Sequence, residues 1–130
     1  MFEMARNPGD QVMILACSGG SNVGQLSNQA AVELSREGLG KMSCLAGVGG
    51  ELMGFVHSVI TTPVVVLIDG CPIGCGKACF DKLEAPLKIY LVLTDLGIEK
   101  TGDMELKAEE IAKVKEAVKQ AVASYQAGLS

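Results

Sequence analysis

The stretch VVVLIDGCPIGCGKACF, residues 64–80, decides the fold. Val64–Ile68 is an unbroken apolar run rich in β-branched side chains, the signature of a strand covered on both faces, as in a parallel sheet. Counted from Pro63, the run ends at Asp69-Gly70, and three cysteines follow at a spacing of four, Cys71, Cys75 and Cys79. The spacing predicts a short helix near Gly76–Leu83, so the segment reads as one strand feeding directly into one helix.

The same unit recurs on either side. Val12–Ala16 is a strand-like run followed by the glycine loop CSGGSNVGQ. A helix then places Val23, Leu26, Ala30 and Leu34 on one face and stops at Gly38. Ser21 or Asn22 is its expected N-cap. Met42–Ala46 reads as a second strand, the glycines of GVGGE as a loop, and Glu51–Ile60 as a helix. Leu87–Thr94 is the fourth strand. Met104–Gln126 carries the clearest apolar stripe, Leu106, Ile111, Val114, Val118, Val122 and Tyr125, with Thr101 or Asp103 as its cap. We read that helix as packing. Strand-helix alternation implies parallel strands joined by right-handed crossovers. The expected architecture is an α/β, single-domain, Rossmann-like three-layer sandwich: a four-stranded parallel sheet of order 2-1-3-4 with helices on both faces. Residues 1–10 form an N-terminal tail, and all 130 residues make one domain.

Composition narrows the function classes. The chain is 48% hydrophobic and 20% charged, as in a globular protein, and eleven basic against fifteen acidic residues give a net charge of −4. The basic residues are dispersed, which argues against nucleic acid as a partner. No apolar run is long enough to cross a bilayer, and MFEMARNPGDQ lacks the apolar region of a secretory signal. The expected location is cytoplasmic, where thiols stay reduced. Five cysteines, an odd number, therefore favour metal binding or thiolate chemistry over a disulfide framework. The sequence names no protein partner and no oligomeric state.

Cys17 ends the first strand, Cys44 falls late in the second, and Cys71 follows the third. In an open α/β sheet these carboxyl ends gather at one rim, where ligands bind. Adjacent strands lie about 4.8 Å apart, and thiolates around a tetrahedral zinc about 3.8 Å apart, so Cys17 and Cys71 can share an ion. Cys75, one turn beyond, folds back towards them, and Cys44 and Cys79 compete for the fourth position. The expected metal ligands are Cys17, Cys44, Cys71 and Cys75, with Cys79 as the alternate, and the expected cofactor is Zn²⁺. Ser18 and Gly19 on the first loop, and Asp69 and Gly70 after the third strand, are the candidate cofactor-contacting residues, through amide donors and close backbone approach.

An alternative takes Cys17 as a nucleophile at a helix N-terminus, with Cys71, Cys75 or Cys79 as resolving thiol, in a thiol enzyme or a sulfur-, selenium- or arsenic-handling redox protein. The loop is similar to the C-x5-R phosphate loop of small phosphatases and arsenate reductases, but Val23 stands at the arginine position, which removes that reading. GGSNVG is not a dinucleotide-binding fingerprint. His57, the one histidine, lies on a predicted helix away from the thiols.

Four motifs in order, Cys17-Ser-Gly, Ser43-Cys-Leu-Ala-Gly-Val-Gly-Gly, Ile68-Asp-Gly-Cys-Pro and Thr94-Asp-Leu-Gly-Ile, give a further reading. Together they resemble the DGC domain proteins, small prokaryotic proteins named for Asp-Gly-Cys and described as zinc-binding. The resemblance runs from Val12 to Glu99. It implies zinc held by thiolates and carries over Cys17, Cys44, Cys71 and Cys75, with Cys79 also fitting the pattern. Gly20 stands where many members have a further cysteine, so this chain lacks one ligand available to those relatives.

Overall fold

The structure is a computed structural model describing residues 11–128; the tail expected over residues 1–10 lies outside them. Strands β1 (Val12–Ala16), β2 (Lys41–Met42), β3 (Val64–Asp69) and β4 (Ile89–Val92) form one parallel sheet in the order β2-β1-β3-β4. This is the 2-1-3-4 arrangement expected from the alternation of elements. The helices are α1 (Asn22–Arg36), α2 (Leu45–Gly49), α3 (Met53–Thr61), α4 (Cys75–Leu83) and α5 (Ala108–Gly128).

β1 and β3 are the central pair, in register from Val12↔Val64 to Ala16↔Ile68, and every residue of both is buried. The two-residue period of a strand sorts them into two cores. Val12, Ile14, Val64, Val66 and Ile68 pack with Leu26 and Leu34 of α1 and Val114 and Val118 of α5. Met13, Leu15, Val65 and Leu67 pack with Val48 of α2, Val59 of α3 and Phe80 of α4. Helices thus cover both faces, giving the three layers. Lys115 of α5 adds ion pairs to Glu33, at 2.9 Å, and to Glu37, fastening α5 to α1.

The helix expected over Glu51–Ile60 runs Met53–Thr61, the fourth strand begins at Ile89 rather than Leu87, and three further boundaries differ from expectation. The second strand ends at Met42: Ser43 still donates to the Ile14 carbonyl, at 3.0 Å, but the Cys44 carbonyl already accepts from Val48 as α2 begins. Glycine-rich LAGVG is helical because Val48 must cover Met13 and Leu15, and that burial outweighs poor local propensity. The fourth strand gives way at Leu93 to a 3₁₀ turn closed by Gly97. The last helix starts at Ala108, not Met104, because the Thr101 hydroxyl and Asp103 carboxylate accept from the amides of Asp103 and Glu105 and hold that segment as turns. Leu106 still packs on the core.

Asp69, the last residue of β3, joins the elements that carry the cysteines. It is 1% exposed. Oδ1 accepts from the Gly76 amide at 2.9 Å, and Oδ2 accepts from the Lys77 amide at 3.0 Å and from the Tyr90 hydroxyl at 2.8 Å. The residue preceding α4 is Gly74, which has no side chain to cap it, so the strand supplies the carboxylate that the helix N-terminus requires. Gly70 is needed for a different contact: a Cβ there would lie 2.8 Å from the Val23 carbonyl carbon and 2.9 Å from the Gly24 nitrogen, where α1 begins.

Two outcomes follow from this arrangement. Asp69→Asn replaces an acceptor by a donor facing donors, and should lower the unfolding free energy by about 1–3 kcal/mol, read as a shifted urea midpoint at unchanged slope. Tyr90 is held above the ordinary tyrosine pKa, first by burial and then by its bond to Asp69. The folded chain keeps this proton where the unfolded chain releases it, so the contribution is complete below about pH 10 and declines above it. Stability measured from pH 8 upward should fall more steeply in the wild type than in Tyr90→Phe; equal slopes would refute the coupling.

Candidate functional site

The first loop extends the sheet by one residue: the Cys17 amide donates to the Ile68 carbonyl at 2.9 Å. Continued alternation turns Cys17 to the same side as Leu15, towards α2 and α4. The Gly19 amide donates to Cys17 Sγ at 3.4 Å, and the Gln25 side chain fixes the loop by donating to the carbonyls of Ser18 and Gly19, both at 3.0 Å. Ser21 is the N-cap of α1, accepting from the Gly24 amide at 3.2 Å. Asn22 instead spans to the connection before α5, donating to the Glu99 carbonyl at 2.8 Å and accepting from the Thr101 amide at 2.6 Å.

This loop faces α2 and α4 across a cleft of about 330 Å³. Cys17, Ser18 and Gly19 line one side, Leu45 and Gly49 of α2 another, and Cys75 and Cys79 of α4 the third. Cys79 Sγ donates to the Cys75 carbonyl at 3.4 Å and rests against Gly49, where a Cβ would stand only 2.9 Å away. Burial, then the charge of Asp69 and the neighbouring Cys75, pushes the Cys79 thiol pKa up. Cys75 is exposed at the start of α4. Cys44 is the exposed residue preceding α2, one position before Leu45 of the cleft, and its side chain caps nothing.

Cys71 lies apart from this set. It packs on the core shared with α1 and α5, and its sulfur accepts from Lys100 Nζ at 3.4 Å. Past the end of β3 the alternation breaks: Asp69 faces α4, Gly70 abuts α1, and Cys71, beyond a bend at Gly70, also lies on the α1 side. Of the four cysteines expected to converge with Cys79 as alternate, the cleft gathers Cys17, Cys75 and Cys79, has Cys44 beside it, and leaves out Cys71. Ser18 and Gly19 sit on its edge. Asp69 and Gly70 are inside the packing, where they hold α4 and α1. His57 is exposed on α3, away from the cleft lining.

Three thiols around one cleft are a donor set suited to a borderline-soft cation such as zinc. Among the described residues no three Cys, His, Asp or Glu side chains stand in ligating arrangement, so a bound ion requires the thiols to turn inward from the conformations they hold here. Two contributors escaped the sequence reading. Tyr90 was accessible from register, since Tyr90 pairs with Leu67, two residues before Asp69 on the same face. No spacing signals Lys100.

Among the described residues no helix is long and apolar enough to cross a membrane. The DGC domain family matches residues 13–118. The chain is 36% identical over 115 residues to the anaerobic and virulence modulator AnvM of Pseudomonas aeruginosa, covering 88% of this chain and 86% of that protein. No solved structure matches it. The motif order, the cysteine-lined rim and a family match spanning most of the chain agree, and the protein belongs to the DGC domain family.

Proposed function

We propose that this protein binds zinc through cysteine thiolates in the cleft between the β1 loop, α2 and α4, and acts as a regulatory protein. Cys17, Cys75 and Cys79 are the ligands, and Cys44 is the fourth donor at the mouth. The observation that carries this reading is that Cys17 of the β1 loop lines one cleft with Cys75 and Cys79 of α4, some sixty residues away in sequence. When bound, the ion would hold deprotonated thiols and, with four of them, leave no open position for a substrate. The chain's own residues do the rest. Asp69 fixes the start of α4 and hence Cys75 and Cys79, Gln25 fixes the loop of Cys17, and Gly49 leaves room for Cys79. A four-thiolate site ties α2 to α4 and releases its ion when the thiols are oxidised. That behaviour suits a regulator, the role given by name to the relative AnvM.

A second reading has one observation of its own. Cys17 opens the loop that leads into α1 and has the Gly19 amide on its sulfur, a donor that would favour a thiolate, and Cys75 and Cys79 across the cleft could resolve it.

Zinc analysis of protein purified under reducing conditions without added metal, with thiol alkylation before and after chelation, separates the two. Zinc binding predicts about one ion per chain, with thiols masked until the chelator is added. Cys17→Ser and Cys75→Ser should lose the ion, while Cys71→Ser keeps it. Metal-free protein with one rapidly alkylated thiol at Cys17 supports the second reading. Loss of zinc in Cys71→Ser, with Cys17→Ser unaffected, would move the site out of the cleft.

A further inference from the structure

α3 turns only Val59 fully into the core, with Phe55 half-buried beside it. Leu52, immediately before the helix, is 58% exposed, Met53 75% and Ile60 56%. These are large apolar side chains on a helix that carries no Asp, Glu, Lys or Arg. Its hydroxyl groups are satisfied internally. Ser58 donates to the Gly54 carbonyl at 3.0 Å, Thr61 to the His57 carbonyl at 2.9 Å and Thr62 to the Ser58 carbonyl at 2.6 Å. The outer face of α3 therefore presents hydrocarbon, one imidazole, and hydroxyls that do not depend on water. The absence of Lys and Arg disfavours an anionic lipid surface as its partner.

The geometry points to a second copy of this chain as the occupant, with α3 pairing antiparallel to α3 about a two-fold axis through His57. The spacing is self-complementary. With His57 opposite the partner's His57, Ile60 falls opposite the partner's Gly54, and Met53 opposite the partner's Thr61. Gly54 is exposed, and a Cβ there would meet nothing within 4 Å, so it offers open ground for the isoleucine of the other copy. The ends are complementary in charge. Glu51 stands before the N-terminus of α3, its side chain 50% exposed although paired with Lys82. Lys88 sits at the other end, donating to the carbonyls of Thr62 and Pro63 at 2.9 and 3.1 Å. Antiparallel pairing brings Glu51 to the partner's Lys88 and opposes the helix dipoles, whereas parallel pairing would set like ends together. The contact is isologous, as a two-fold dimer requires. A nine-residue helix is about 13 Å long, which keeps the buried area under the ~800 Å² per partner of a standard interface and places the pairing among small, transient contacts.

Sedimentation equilibrium of the full chain under reducing conditions, from low to several hundred micromolar, tests this. The wild type should pass from monomer to dimer across that range. Gly54→Gln fills the receiving ground while improving helix propensity, and Ile60→Glu places charge on the contact; each should raise the dissociation constant by at least about tenfold. Thermal melting confirms that both variants remain folded. Met104→Glu, at an apolar residue 51% exposed elsewhere, should leave it unchanged. A wild type that stays monomeric throughout, or a dimer indifferent to both Gly54→Gln and Ile60→Glu, overturns the proposal.

Discussion

A single buried carboxylate organises the functional end of this molecule. Asp69 accepts from two amides in the first turn of α4 and from the Tyr90 hydroxyl, so β3, α4 and β4 meet on one side chain. A carboxylate 1% exposed is tolerated only when its lone pairs are occupied, and here three donors occupy them. The helix gains in return the anion that its unpaired N–H groups and dipole favour. The direction of α4, and with it the positions of Cys75 and Cys79, follows from this contact. In Asp-Gly-Cys, the first residue caps a helix, the second lets α1 approach the strand end, and the third bears a thiol on the opposite side of the sheet from the cleft.

The place where each strand ends explains how the thiols are divided. Cys17 continues β1 on the face of Leu15 and opens towards α2 and α4; Cys71, past the end of β3, turns to the α1 side with Lys100. The two ends of adjacent strands are neighbours, yet their sulfurs serve different surroundings because Cys17 keeps the pleat of β1 while Cys71 lies beyond a bend that breaks the pleat of β3. Cys79, packed against Gly49, is half-buried like Cys17, while Cys75 and Cys44 are exposed. One thiol is thus held in the packing and others remain free to turn.

The two faces of the sheet are built unequally. α1 and α5 are long helices, locked together through Lys115, Glu33 and Glu37. The other face is covered by three short helices, one of them glycine-rich, and carries both the cleft and the apolar surface of α3. Short elements with few buried side chains have less stability of their own, so the cleft and the apolar face of α3 lie on the layer best able to adjust.

The amino-acid sequence by itself determined the sheet. Unbroken apolar runs such as Val64–Ile68 need cover on both faces, and their alternation with amphipathic helices leaves few orders besides 2-1-3-4. It also located the thiols at the carboxyl rim, since Cys17 and Cys71 directly follow the two central strands. Tertiary structure decided three other matters. Glycine-rich LAGVG reads as a strand end followed by a loop until Met13 and Leu15 require a cover, and only that packing makes it α2. Asp69 reaches amides seven and eight residues ahead because Gly74 takes a left-handed backbone at the turn, a path no local pattern encodes. Which cysteines share a cleft depends on side-chain direction past the strand ends; there hydrophobic periodicity no longer reports the pleat, and only packing against α1, α2 and α4 fixes which way each sulfur points.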